Sequence, residues 1–316
     1  MKRFAIKDYG PAREVFEEIE ATPKELTGNH IRVAIKAFAI NPYDVSLRQG
    51  KMQDFRSLKF PYVLGNDGGG IVTEVAENVT NLRVGDRVVL HPIGGAYGEE
   101  ISLPAHKAAK LPDEMSWQEA AGMVTTGITA YNILFHLLSL HSEDVVMVEG
   151  ASGGVGSLLV QLLKQKGHRV LTSASKHNED HVRQWQVDGF AAYDQEDPGT
   201  IFENQADVVI DATKGSRGIE AGVRIMKENG TYVALNTLPT EEQRVKKGKY
   251  LHFGPSKEYS DQEAFTALLA AYEKGQLEIE IAEVLPFELA SVILAHEKME
   301  GHPPAGKIIL AKESFK

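Results

Sequence analysis

The sequence predicts a two-domain α/β protein: a β-rich N-terminal part, then a doubly wound parallel sheet. Three observations carry this. From Val145 onward the apolar pattern alternates strand, helix, strand, helix. A cluster of glycines sits at the first strand-to-helix junction. The 316 residues exceed what a single core usually organises.

Taken in order, Ile31 to Phe38 alternates and is rich in branched side chains, which marks a strand. Gly70 to Val75 and Arg87 to Leu90 are further short strands, and Val84-Gly85-Asp86 is the turn before the second of them. Ser116-Trp117-Gln118-Glu119 has the spacing of a capping box, so a helix begins there. A strand from Val145 leads into a helix with Val155, Leu158, Leu159, Leu162 and Leu163 on one face, closed by Gly167. Val170 to Ser173, Ala191 to Tyr193, Val208 to Asp211 and Tyr232 to Leu235 read as the next strands. Helices are expected around Asp180 to Gln186 and Gly218 to Lys227, and a further helix from Ser260 to Lys274. Mixed structure follows, then a last strand, Lys307 to Ala311.

Composition narrows the function. A hydrophobic share of 42% supports a sizeable core, and a net charge of −10 is a poor match to polyanions. There is no cysteine, so disulfides, Cys-ligated zinc, iron–sulfur ligation and thiolate catalysis are excluded. MKRFAIKDYG lacks the apolar run of a signal peptide. No apolar stretch reaches the roughly 20 residues that span a bilayer; the longest, Ile128 to Leu140, is broken by Asn132 and His136. The expectation is a soluble, cytoplasmic enzyme or binding protein with no membrane or nucleic-acid partner.

Gly150, Gly153, Gly154 and Gly156, with Ser152 and Val155 between them, join a strand to an amphipathic helix. That is the setting of a dinucleotide-binding turn, although the spacing is G-x-x-G-G-x-G rather than G-x-G-x-x-G. Glycines let the backbone approach a pyrophosphate, and the helix N-terminus supplies free N–H groups. The second strand ends Thr172-Ser173-Ala174-Ser175-Lys176, with no acid before Glu179. An NAD site usually places an acid there, on the ribose hydroxyl. Small hydroxyls and a cation at Ser173, Ser175 and Lys176 suit a 2′-phosphate instead, which makes NADPH the expected cofactor.

Several ordered motifs carry a resemblance that covers almost the whole chain. They are Ala39-Ile40-Asn41-Pro42-Tyr43-Asp44, Leu64-Gly65-Asn66-Asp67-Gly68-Gly69-Gly70, Val84 to Val88, Gly127-Ile128-Thr129-Ala130-Tyr131, Gly150 to Gly156 and Gly306 to Leu310. With them the chain resembles the medium-chain dehydrogenase/reductase superfamily, in its zinc-free quinone oxidoreductase (zeta-crystallin-like) branch. The resemblance implies a GroES-like β-barrel catalytic domain, residues 1–118 and 258–316, and a Rossmann NADPH-binding domain, residues 119–257. It also implies a homodimer, a cofactor in the cleft, and hydride transfer to a quinone or an enal or enone. Zinc-dependent relatives carry Cys or His where this chain has Asn41, and His-Glu where it has Asn66-Asp67, so no metal ligand is expected.

By the same resemblance Asn41 faces the nicotinamide ribose or the substrate, and Tyr43 donates a hydrogen bond to the substrate oxygen. Thr126 and Thr129 face the nicotinamide and phosphates; at Ala212 the backbone passes the cofactor, and Asn236, Phe253 and Gly254 line the nicotinamide pocket. Asp44 and Asp67 are expected to anchor turns. Enoyl thioester reductases of the superfamily carry a proton-donating tyrosine where this chain has Met52. That departure favours acceptors needing little acid assistance. The alternatives are an enoyl thioester reductase, or a low-turnover NADPH-binding structural or RNA-binding protein. The basic run Arg244 to Lys249 is expected to be a solvated loop.

Overall fold

The structure, a computed structural model, describes residues 1–23, 25–301 and 304–312. Two compact units divide the chain: Met1–Ile128, Asp261–Leu269 and the chain from Ile279 onward form the first, Thr129–Ser260 and Ala270–Glu278 the second. The expected domain edges were 118/119 and 257/258; the end of the expected catalytic domain, residues 313–316, lies outside the described residues.

The first unit opens with β1 (Lys2–Ile6), α1 (Ala12–Val15), β2 (Phe16–Glu20), β3 (His30–Ala39) and α2 (Pro42–Arg48). It continues through β4 (Tyr62–Val63), β5 (Asp67–Val75), β6 (Arg87–Leu90), β7 (Glu100–Pro104) and β8 (Ala108–Lys110) into α3 (Trp117–Asn132). The second unit holds β9 (Val145–Glu149), α4 (Gly154–Gln165), β10 (Arg169–Ala174), α5 (Glu179–Arg183) and β11 (Gly189–Ala192). After these come α6 (Pro198–Ile201), β12 (Ala206–Asp211), α7 (Ile219–Ile225), β13 (Met226–Ala234) and β14 (Gly248–His252). Helix α8 (Asp261–Glu273), β15 (Ile281–Pro286), α9 (Leu289–Glu300) and β16 (Lys307–Ala311) end the described chain.

In the first unit the main sheet has the order β15-β16-β3-β5-β6-β8, with β7 also on β3; β2-β1-β4 form a smaller sheet. This is the expected GroES-like part. Strand β3 alternates as its sequence does, burying Ile31, Val33 and Ile35 completely. Its close pairing with β5 needs Gly70, where a Cβ would lie 2.3 Å from the Ala34 carbonyl oxygen. Phe38 stacks on Tyr97 at 4.7 Å and meets Phe287 edge-on at 5.0 Å, which fills the core behind β3.

The register of this sheet assembles the polar site. Strand β16 runs antiparallel to β3 with Ile309 opposite Ala39. Lys307, two residues earlier, therefore comes level with Asn41, two residues later. Strand β5 runs antiparallel to β3 with Asp67 opposite Ala39, which adds a carboxylate at the same level.

The second unit is one parallel sheet in the order β11-β10-β9-β12-β13-β14, the doubly wound arrangement expected. The capping box also forms: Ser116 N donates to Glu119 Oε2 at 2.9 Å and Glu119 N to Ser116 Oγ at 3.2 Å. The basic run is a solvated loop only in part: Arg244 to Lys247 lie outside any strand, while Gly248 and Lys249 begin the edge strand β14. Lys246 Nζ donates to the carbonyls of Arg224 and Met226, both at 2.5 Å, and to Asn204 Oδ1 at 2.7 Å. It satisfies carbonyls at the end of α7 that the helix itself leaves open.

Candidate active site

In the second unit the C-terminal ends of β10, β9 and β12 are in register, with Ser173 and Asp211 on either side of Glu149. The chain order reverses between β9 and β12, the switch point at which such sheets bind ligands. The glycine turn is fixed there. Gly150 N and Ala151 N both donate to Ser173 O at 3.0 Å, and Ala212 N donates to Glu149 O at 3.1 Å. Gly150 takes φ +77°, a conformation that favours glycine. At Gly156 a Cβ would lie 2.2 Å from the Gly150 carbonyl oxygen, so this turn closes onto α4 only with glycine there. Gly153, Gly154 and Val155 are half-buried, which leaves the turn's outer face accessible.

Asn178 ties the turn to the second strand. Its Nδ2 donates to Ser152 Oγ at 3.2 Å and to Ser175 Oγ at 2.9 Å. Two residues singled out in the sequence thus meet through a third that was not. Lys176 is exposed and pairs with Glu179, which Arg183 also holds at 2.7 Å. Lys176 N donates to Asp194 Oδ1 at 2.8 Å. Glu179, an acid from outside the expected span, therefore pairs with the cation, while Asp194 holds its backbone.

The pair Glu149 and Asp211 was missed. Each is 1% exposed. Asp211 accepts from Thr213 N at 2.9 Å and from Tyr232 OH at 3.0 Å. Glu149 Oε2 has no hydrogen-bond partner. Burial, and then the charge of Asp211, push the Glu149 carboxyl well above the usual carboxylate range.

Asn236 Nδ2 donates to Thr213 O at 2.9 Å, and Asn236 O accepts from His252 Nε2 at 2.8 Å. Phe253 N donates to Ala234 O at 2.9 Å and the Phe253 ring stacks on Tyr259 at 5.8 Å. Ala212, Gly254 and Thr129 are half-buried.

In the first unit Asn41 caps α2 and is 2% exposed. Lys307 Nζ donates to Asn41 Oδ1 at 2.5 Å and to Asp67 Oδ2 at 3.3 Å. Asp67 also accepts from Thr125, whose N lies 3.2 Å from Oδ1. Thr126, the neighbour the sequence singled out, instead spends its hydroxyl on Gly122 O at 2.9 Å. Asn41 Nδ2 is buried without a partner, a polar atom free for a ligand.

Behind this cluster runs a directed chain of hydrogen bonds. Arg48 Nε donates to His296 Nδ1 at 3.4 Å. Burial first, then the Arg48 charge, push His296 down to about 3, so it is neutral. Its proton sits on Nε2, which faces Tyr97 OH at 3.2 Å, and Tyr97 OH donates to Asp44 Oδ2 at 3.0 Å. Asn41 N donates to the same Asp44 oxygen at 3.0 Å. Burial, and next the charge of Asp67, raise the Asp44 carboxyl to about 7. Asp44 anchors the turn into α2, as expected, whereas Asp67 joins β5 to Thr125 and Lys307 rather than anchoring a turn; Lys307, Tyr97, Arg48 and His296 went unread.

Tyr43 is half-buried, and its phenol oxygen accepts from Arg56 Nη1 at 3.3 Å. Met52 packs against the same core.

Comparison with known proteins agrees with this architecture. A family model described as an alcohol dehydrogenase GroES-like domain matches residues 27–113, and one described as a zinc-binding dehydrogenase matches residues 185–310. A quinone oxidoreductase of Lama guanicoe is 27% identical over 309 residues, which cover 89% of this chain and 88% of that protein. The polyketide synthase GfsB of Streptomyces halstedii is 31% identical over 218 residues, 68% of this chain but 4% of the synthase. An Escherichia coli quinone oxidoreductase, solved with NADPH, superposes with a TM-score of 0.86 at 24% identity, covering 98% of this chain and 100% of that one. Among the described residues no helix is long and apolar enough to cross a membrane. The chain belongs to the medium-chain dehydrogenase/reductase superfamily of nicotinamide-dependent oxidoreductases, in its quinone oxidoreductase-like family.

Proposed function

We propose that this protein is an NADPH-dependent reductase that delivers hydride to a quinone or an α,β-unsaturated carbonyl without zinc. The observation that carries this reading is Lys307. Its ammonium is hydrogen-bonded to Asn41 and Asp67, the positions at which zinc-dependent relatives carry ligands. A fixed cation bound to an amide and a carboxylate does not fit a zinc site, which needs three or four N, S or O ligands around one open point. Among the described residues no group of three or more His, Cys, Asp or Glu is placed to hold a metal ion.

The glycine turn fits a dinucleotide, since a Cβ at Gly156 would fill the close approach to Gly150. Backbone N–H groups in the first turn of α4, those of Gly154, Val155 and Gly156, would hold the pyrophosphate. Ser175 and Lys176, with Ser152 linked through Asn178, would hold the 2′-phosphate. When bound, the nicotinamide supplies the hydride. Asn41 offers its free Nδ2 and Tyr43 its hydroxyl to the reacting partners. Hydride addition to an electrophilic carbon leaves an enolate or hydroquinone anion, which takes its proton from water. The NADPH of the Escherichia coli relative supports the cofactor assignment. A homodimer in the cytoplasm belongs to the same reading.

The test is oxidation of NADPH and of NADH against a small ortho-quinone and a short enone, with and without chelator. Chelator-resistant activity that prefers NADPH is expected. Equal use of NADH would remove the role given to Ser175 and Lys176. The similarity to a polyketide synthase favours a second reading, enoyl thioester reduction, against which Met52 stands; turnover of an enoyl thioester alone would establish it. NADPH binding without any turnover would point to a non-catalytic protein.

A further inference from the structure

The turn that carries Met52 also places a cation beside Tyr43. Arg56 N donates to Met52 O at 2.8 Å, so the residue four positions after the absent tyrosine is held by that methionine's own carbonyl. The Arg56 guanidinium then reaches three neutral oxygens. Nη1 donates to Tyr43 OH at 3.3 Å, and Nη2 to Tyr62 OH at 2.5 Å and to Ile93 O at 3.2 Å. Its carbon lies 5.6 Å from the Tyr62 ring centre.

The surroundings of this cluster are built. Tyr62 approaches the loop closely because residue 94 is glycine; a Cβ there would lie 2.1 Å from the Tyr62 hydroxyl. Gly94 N donates to Asn66 Oδ1 at 2.9 Å, which pins the segment that presents the Ile93 carbonyl. Two large apolar side chains of these segments face solvent, Phe55 at 87% and Ile93 at 73% exposure.

Two features set the cluster apart from a structural contact. Among the described residues Arg56 has no carboxylate partner, although the chain carries a net charge of −10. The two phenols also differ. Tyr62 accepts from Arg56 and passes its own proton to Ile93 O at 3.3 Å. Tyr43 accepts from Arg56, and its proton has no acceptor among the described residues. A phenol whose oxygen is engaged by a cation donates outward, and more strongly.

Resting on the reductase reading above, we propose that Arg56 and Tyr43 form an oxyanion site for an apolar carbonyl acceptor: Arg56 fixes the Tyr43 O–H toward the acceptor oxygen and stabilises its developing negative charge. Hydride and its electron pair enter at the β-carbon of an enone, the C=C pair moves toward oxygen, and the resulting enolate accepts the Tyr43 hydrogen bond. Water then supplies the proton to the α-carbon. Arg56 acts through Tyr43 and is a positioning residue. Phe55 and Ile93 select acceptors with an apolar body.

The probe is 4-nitrophenol, whose absorbance reports its ionisation. Wild-type protein should bind it as the phenolate. Arg56→Met and Tyr43→Phe should each weaken that binding about tenfold or more, and Arg56→Lys should keep part of it, since the charge remains while the fork is lost. With an enone, Arg56→Met should lower kcat by about 10- to 100-fold and leave the cofactor's dissociation constant unchanged. The double variant should be no worse than the worse single one, because the two groups act as a unit. No phenolate binding by wild type, or equal binding by Arg56→Met, would overturn the proposal. If the wild type reduced no acceptor at all, the reductase reading would fall, while the phenolate titration would still decide on Arg56.

Discussion

Asp44→Asn replaces a buried carboxyl by a neutral group of the same shape. Asn keeps an oxygen to accept from Asn41 N and Tyr97 OH, and its amide nitrogen takes the place of Asp44 Oδ1, which has no partner. The native carboxyl is raised from 3.8 to about 7, first by burial and then by the charge of Asp67. A raised carboxyl is held protonated by the fold. Its stabilisation is complete below the unfolded value and is lost as pH rises through the folded one. At about 1.4 kcal/mol per pH unit, wild type should lose about 2 to 3 kcal/mol between pH 5 and pH 8 through this group alone. Asp44→Asn loses nothing there. The difference in melting temperature between variant and wild type should therefore grow in the variant's favour by about 5 to 10 °C over that interval. Thermal unfolding followed by circular dichroism at pH 5, 6, 7 and 8 measures it. Parallel pH profiles for the two proteins would refute the account of Asp44 as a buried acid that ionises near neutrality.

Three further outcomes follow from the same structure. Lys307→Met leaves Asp67 as a buried, uncompensated carboxylate and should cost about 3 to 5 kcal/mol in denaturant unfolding, with Asp67→Asn added to it restoring much of the loss. Gly156→Ala drives a methyl group into the Gly150 carbonyl, 2.2 Å away; NADPH affinity, read by fluorescence titration, should fall at least about tenfold. Glu149→Gln removes a carboxyl raised by burial, whose stabilisation is lost as pH climbs above its usual 4.5. The stability of the variant relative to wild type, read by denaturant unfolding, should therefore rise from pH 4 to pH 8.

What the sequence made legible was local. Alternation marked β3, glycine spacing marked the turn before α4, and Ser116 with Glu119 marked the start of α3, because each signal lies within a few neighbouring residues. The polar site is not local. Lys307 meets Asn41 across 266 positions through strand register, and His296 meets Tyr97 across 199. Neither pairing has a sequence period. Strand β14 was hidden because an edge strand tolerates lysine, so Lys249 read as a solvated charge. Arg56 was missed because a single cation in a loop carries no pattern; only its distances to Tyr43 and Tyr62 give it meaning.

The most direct test of hydride transfer is to follow the hydride itself. NADPH carrying deuterium at the transferable C4 position, incubated with the protein and a short enone, should yield a saturated ketone with one deuterium on its β-carbon, by NMR, in chelator as well as without it. One of the two C4 positions should deliver the label and the other should not. A saturated ketone without β-carbon deuterium from either label, or label transfer abolished by chelator, would contradict the account.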